Sequence, residues 1–224
     1  MKMQFASKAL WLAAVACGAG AGAGGAGAAP VVDAPNDFLP SYRGARAGDL
    51  DVLSSFVTYN TRNDTFFFSG TFAAPVGTTP SAFYVWGLDR GRGTERFNTG
   101  ATPVGAGVLF DSVVIFRQNG TTTVNRFTDP ATVLLGALSA SGDTVSGSIA
   151  GSLLPSTGFD KSSYTWNLWP RDALATGNAQ IADFAPDASN AAVGVVSEPH
   201  SHALVALALG GLAWVSRRRM ARSG

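Results

Sequence analysis

Carboxylates are the side chains with which this chain can do chemistry. Between residues 29 and 196 there are 13 aspartates, one glutamate (Glu95), and no histidine, cysteine or methionine. The chain's one cysteine, Cys17, and its two histidines, His200 and His202, fall outside that stretch. Without thiol or imidazole the stretch has no Cys or Ser–His nucleophile, no intrachain disulfide, no conventional zinc or copper ligand set and no His- or Met-ligated haem. What remains is hard oxygen. Short carboxylates on loops suit calcium, which takes about 6–8 oxygen ligands. The candidate ligands are Asp37 beside Asn36, Asp49 and Asp51 around Leu50, Asp89, and Asp183 with Asp187 and Asn190. None has EF-hand spacing. The competing reading is that these aspartates cap turns by accepting from nearby backbone N–H groups. Two facing carboxylates are also the minimum of a glycosidase, one of them with a raised pKa, and no motif singles out such a pair.

Aromatic and basic residues supply the other chemistry. Tyr164 to Asp172 is the densest aromatic segment. Period two puts Tyr164, Trp166 and Leu168 on one strand face and leaves Trp169 at the strand end. Flat rings at a sandwich rim can stack on sugars, so Trp169 and Trp86 are the candidate glycan contacts, whereas Trp166 is expected in the core. Arg90, Arg92 and Arg96 surround Gly91 and Gly93, but no glycine-rich strand-to-helix turn accompanies them, so an anion-binding phosphate loop is not expected. An exposed hairpin tip able to touch an anionic polymer is. Residues 29–196 hold 10 basic and 14 acidic side chains, a net charge of −4. That balance gives no footprint for nucleic acid.

The elements that position these residues read as strands. No stretch sustains apolar residues at helical spacing, while runs rich in Val, Phe, Tyr, Trp and Thr recur between turn residues. Strands are predicted over 50–59, 65–73, 82–89, 108–116, 121–127, 132–139, 144–150 and 163–169, with short edges at 180–184 and 191–196. Arg62-Asn63-Asp64, Asn119-Gly120 and Ser141-Gly142-Asp143 favour tight reversals because Asn, Asp and Gly tolerate positive φ. The expectation is an all-β domain at 29–196, a two-sheet antiparallel sandwich of jelly-roll type. Its core would draw on Phe66, Phe68, Phe72, Phe83, Val85, Val114, Phe116, Val145, Ile149, Trp166 and Leu168. Phe66-Phe67-Phe68 and Val113 to Phe116 break strict alternation and predict strands covered on both faces.

The two ends read as address labels. Lys2 and Lys8 precede the apolar stretch Ala9 to Ala16 and a Gly/Ala run, the plan of a secretory signal peptide over residues 1–28. Ala26-Gly27-Ala28 places small residues for signal peptidase to cut after Ala28, with Ala21-Gly22-Ala23 as an earlier site. Ala14-Val15-Ala16-Cys17 offers a lipoprotein box as the alternative. At the other end, Glu198 and Pro199 precede the apolar run Ala203 to Val215, followed by Arg217, Arg218 and Arg219. Thirteen apolar residues rise about 20 Å as a helix against a hydrocarbon core of about 30 Å, a marginal transmembrane span whose arginines belong on the cytoplasmic side.

In that order of parts, residues 197–224 resemble a PEP-CTERM sorting signal, the bacterial tail recognised by exosortase. Ser197 stands where the family has its first proline. The resemblance implies processing near Glu198-Pro199 by an exosortase-type membrane enzyme, a transient hold in the inner membrane and delivery to the cell surface or extracellular matrix. A retained single-span anchor is the alternative. The body resembles carbohydrate-binding and DOMON-like sandwich domains in two segments: Phe83 to Asp89, a strand ending in Asp, and Asp183 to Asp187, an Asp-rich close. Two functional classes follow. One is a non-enzymatic surface protein that associates with extracellular polysaccharide; the other is a secreted, carboxylate-dependent glycan hydrolase. Binding without product release marks the first, and hydrolysis lost with one Asp pair marks the second.

Overall fold

The computed structural model describes residues 29–100 and 102–196. The predicted signal peptide, the Glu198-Pro199 pair, the apolar run and the Arg217–Arg219 cluster lie outside the described residues. Among the described residues, no helix is long and apolar enough to cross a membrane.

Twelve strands form two six-stranded sheets. The first contains β1 (Val31–Val32), β2 (Val52–Asn60), β3 (Thr65–Phe72), β8 (Leu138–Ser141), β9 (Thr144–Ala150) and β12 (Gly194–Val196). Its order is β1-β2-β3-β9-β8, with β12 also on β2. The second contains β4 (Ala82–Asp89), β5 (Ser112–Arg117), β6 (Thr121–Asn125), β7 (Thr132–Leu135), β10 (Thr165–Asp172) and β11 (Ala191–Ala192), in the order β11-β10-β4-β5-β6-β7. All pairings are antiparallel except β12 on β2, which is parallel. The two-sheet all-β sandwich is therefore as predicted. The connections are not those of a jelly roll: β4 to β7 run as one meander within a sheet, and β10 returns to lie beside β4.

Turn chemistry sets these boundaries. Asp64 (φ 50) closes β2 onto β3, and Gly120 (φ 80) closes β5 onto β6. The predicted strand 132–139 is two strands, because Gly136 (φ 67) lets the chain leave one sheet and enter the other. The predicted edge at 180–184 is no strand; it touches β10 only through the isolated bridges Arg171↔Ile181 and Leu168↔Ala185.

The main core lies between the sheets. Phe66, Phe68 and Phe72 of β3 meet Tyr84, Trp86 and Leu88 of β4, Val114 and Phe116 of β5, and Trp166 and Leu168 of β10. Fully burying one such side chain contributes about 1.5–3 kcal/mol. On β4 the prediction chose the wrong face. Phe83 and Val85 point away from the first sheet into a second cluster with Val108, Phe110, Val113, Trp169, Ile181 and Phe184. Both faces of β4 are apolar because the loops around 93–110 and 177–186 cover the outer one, so alternation alone could not orient the strand.

Candidate cation cluster and aromatic cleft

Four aspartates meet at the seam between the sheets. β1 is held on β2 by Val31↔Ser55 and Val32↔Ser54, and the Asp33 N–H donates to Leu53 O at 3.0 Å, which fixes Asp33 beside the start of β2. Asn36 takes a left-handed turn (φ 64) and donates its N–H to Asp51 Oδ2 at 2.8 Å, presenting Asp37 to the same place. From the other sheet, residues 181–185 run along β10 through the Leu168 and Ala185 backbone bonds. A cis Ala185–Pro186 bond follows, and Asn167 Nδ2 donates to Pro186 O and to Ser189 O (2.9 Å). This brings in Asp183 and Asp187. Each of Asp33, Asp37, Asp183 and Asp187 offers an oxygen within 4.8 Å of the others.

The electrostatics of that cluster are unbalanced. Asp183 is 1 % exposed; its oxygens accept from Val52 N–H (2.9 Å) and Phe184 N–H (2.7 Å). Burial pushes its carboxyl up to about 8, with the charges of Asp33 and Asp37 adding to the effect. Burial likewise pushes Asp33 up to about 7, with Asp37 and Asp187 adding. Asp37 is raised by burial and by Asp187 and Asp51, and Asp51 by burial. Oδ2 of Asp33, Oδ1 of Asp37 and Oδ1 of Asp51 are buried and accept no hydrogen bond. No ion pair among the described residues involves any of the four; the pairs join Arg90 to Asp111, Arg126 to Asp129 and Lys161 to Asp64.

Of the predicted calcium ligands, Asp37, Asp183 and Asp187 come together, and Asp51 lies against them. Asp49 and Asp89 are not in the group. Asp49 accepts from the Thr79 N–H (2.7 Å) and hydroxyl (2.6 Å), and Asp89 Oδ1 accepts from Gly91 and Gly93 N–H at 2.8 Å each. Asn190 is bonded to the Leu109 backbone and the Thr165 hydroxyl. Asp33 was missed by sequence reasoning. Its signal was the repeated spacing, since Asp33 and Asp37 stand four residues apart just as Asp183 and Asp187 do. Asp183 and one oxygen each of Asp33 and Asp37 are closed to solvent, whereas Asp187 is exposed.

A second feature lies on the outer face of the β4 sheet. A cleft of about 250 Å³ has Phe83 and Val85 of β4, Val113 and Ile115 of β5, and Trp169 and Arg171 of β10 as its floor. Arg96, Phe97, Phe110, Asn125 and Phe127 wall it. Asn125 Oδ1 accepts from Phe127 N–H at 2.8 Å, a side-chain turn that holds Phe127 left-handed (φ 63), the residue being 41 % exposed. The Arg96 guanidinium lies over that ring at 4.2 Å, and Arg171 lies 5.7 Å from the Phe83 ring. Trp169 crosses Phe97 edge-on at 5.0 Å, and neither its Nε1 nor Arg171 Nε has a hydrogen-bond partner. No carboxylate lines the cleft. A second depression of about 260 Å³ shares Arg96 and Phe127 with it and is lined also by Arg90, Arg92, Arg126 and the carboxylate of Asp111.

The predicted glycan contacts separate here. Trp86 is fully buried between the sheets, edge-on to Phe68 at 6.0 Å and donating from Nε1 to Ser55 Oγ at 3.3 Å, so it has no face open to a sugar. It was misplaced because an aromatic on a sheet with two apolar faces looks the same in sequence on either side. Trp169 lines the cleft, but as its floor, only 1 % exposed. Of the three arginines at the predicted tip, Arg90 is 2 % exposed and bonded to Asp111 Oδ1 at 2.8 Å, while Arg92 and Arg96 line the two depressions. No family model matches the chain, and neither a curated protein nor a solved structure matches it.

Proposed function

We propose that this protein is an exported, surface-sorted, non-enzymatic sandwich that associates with extracellular polysaccharide, and that the polymer it holds is acidic. The observation that carries this reading is the arginine-rimmed aromatic cleft. Apolar ring faces accept the C–H faces of a sugar, and a few placed polar groups fix its orientation, the usual plan of a ligand site. Guanidinium groups at Arg96 and Arg171, with no carboxylate among the lining residues, favour a sugar that carries its own carboxylate. The route outward rests on the leader and on the Glu198-Pro199, apolar and arginine parts of the tail. Signal peptidase and an exosortase-type enzyme are the partners it requires, with the inner membrane as a temporary stop.

Calorimetric titration of the full chain with oligogalacturonate and with a neutral glucan of equal length tests this. Oligogalacturonate binds and the neutral glucan does not. Arg96→Ala and Phe127→Ala, both at the mouth of the cleft, each weaken binding by roughly tenfold, the scale of one lost charge-assisted or stacking contact. Added salt weakens what remains. Equal affinity for both sugars, or none for either, defeats the reading. Release of shortened oligosaccharides on prolonged incubation would favour the hydrolase instead.

A further inference from the structure

We propose that Asp33, Asp37, Asp183 and Asp187 bind one calcium ion, which fastens the two sheets to each other along the seam between β2 and β10. The inference is independent of what the aromatic cleft binds.

Two separate observations lead to it. The first is convergence: four carboxylates from two distant parts of the chain are held by backbone bonds so that their oxygens lie within 4.8 Å of one another. Ligands on opposite sides of a calcium ion are about 5 Å apart, twice the Ca–O distance, so the group fits inside one coordination sphere. The second is the state of the oxygens. Asp51 is 0 % exposed, its Oδ2 takes the N–H of the residue before Asp37, and its Oδ1 has no partner. Oδ2 of Asp33 and Oδ1 of Asp37 are sealed from solvent in the same way. A buried carboxylate oxygen with neither donor nor countercharge is costly, and two within the group, with a third on the neighbouring, fully buried Asp51, call for a cation. The ion pairs of Arg90, Arg126 and Lys161 go to Asp111, Asp129 and Asp64 instead.

The donor set selects the ion. All the ligands are hard oxygen, which disfavours zinc and copper. Magnesium takes near-ideal octahedral geometry at about 2.0–2.1 Å and keeps several waters, whereas calcium accepts an irregular carboxylate cage of larger radius. The ion's structural effect follows from where the ligands sit. Asp33 and Asp37 flank the turn after β1 in one sheet, and Asp183 and Asp187 flank the turn before β11 in the other.

The test uses the full chain, freed of metal with chelator and dialysed. Calorimetry with calcium chloride should give saturable binding at one site per chain. A hundredfold excess over Kd should raise Tm by roughly 5–10 °C for a domain of this size. Asp33→Asn and Asp187→Asn, neither of which removes the Asp183 bonds to backbone, should each weaken calcium binding at least tenfold. Asp89→Asn, outside the group, should bind as the native chain does. The proposal is overturned by the absence of both heat and Tm shift at millimolar calcium, by unchanged affinity in both Asp33→Asn and Asp187→Asn, or by tighter binding of magnesium than of calcium.

Discussion

Asp172, 1 % exposed, accepts from the Ser81 hydroxyl (2.6 Å), Leu174 N–H (2.9 Å) and Ala45 N–H (3.0 Å). Burial works to raise its pKa, but these three bonds outweigh burial and hold the carboxyl below its ordinary value. A pKa lower folded than unfolded means that the stabilisation is present above the unfolded value, near pH 4, and is lost as the pH falls through the folded one. Asp172→Ala should therefore cost about 1–3 kcal/mol at neutral pH, by leaving buried donors unpaired. In urea denaturation the deficit should shrink as the pH is lowered below the unfolded value, and a deficit constant with pH would contradict the assignment. Asp183 is the contrasting case: burial raises it, its two backbone N–H donors do not offset that, and the neighbouring Asp33 and Asp37 add to the rise. Residue type alone does not separate these cases. The absence of His, Cys and Met from the body could be read at once, and so could the shortlist of aspartates. Which of them converge depends on loop paths from opposite sheets, and Asp33 drew no attention because its immediate neighbours, Val32 and Ala34, are apolar and its acidic partner Asp37 stands four residues on.

Among the elements, β4 carries most of the design. Its inner residues Tyr84, Trp86 and Leu88 fill the space between the sheets, and its outer residues Phe83 and Val85 underlie the cleft. Gly87 stands between these two outer residues and Asp89, and a Cβ there would overlap the Trp169 ring. Gly87→Ala should push Trp169 out of place, at about 1–3 kcal/mol for overpacking. Near-UV circular dichroism should change while the far-UV sheet spectrum is kept; an unchanged near-UV spectrum would show that the ring does not rest on Gly87. Strands were legible where alternation and a turn residue agree: β4 and β9 have the predicted limits, and Asn119-Gly120 is a hairpin. They were not legible where the deciding contact is remote. The parallel pairing of β12 with β2 joins residues more than a hundred positions apart, and the split of β7 from β8 turns on Gly136 within an otherwise continuous apolar run.

At the scale of the whole molecule, four aspartates meet at a seam between the sheets and the arginine-bearing cleft lies on the outer face of one sheet, so the two functional candidates are in different places. A calcium ion would act on stability, whereas a sugar would occupy the cleft, so the two titrations report on separate sites. The proposed association with polysaccharide requires export, and the proposal of export rests on the sequence of residues 1–28 and 197–224. The most direct measurement is the intact mass of the protein recovered from the outer surface or surrounding matrix of its native host. The account predicts a species that has lost its leader, starting near Ala29, and that ends close to Glu198 without Arg217 to Arg219. Recovery of the full 224-residue chain inside the cell, with leader and tail both attached, would contradict it.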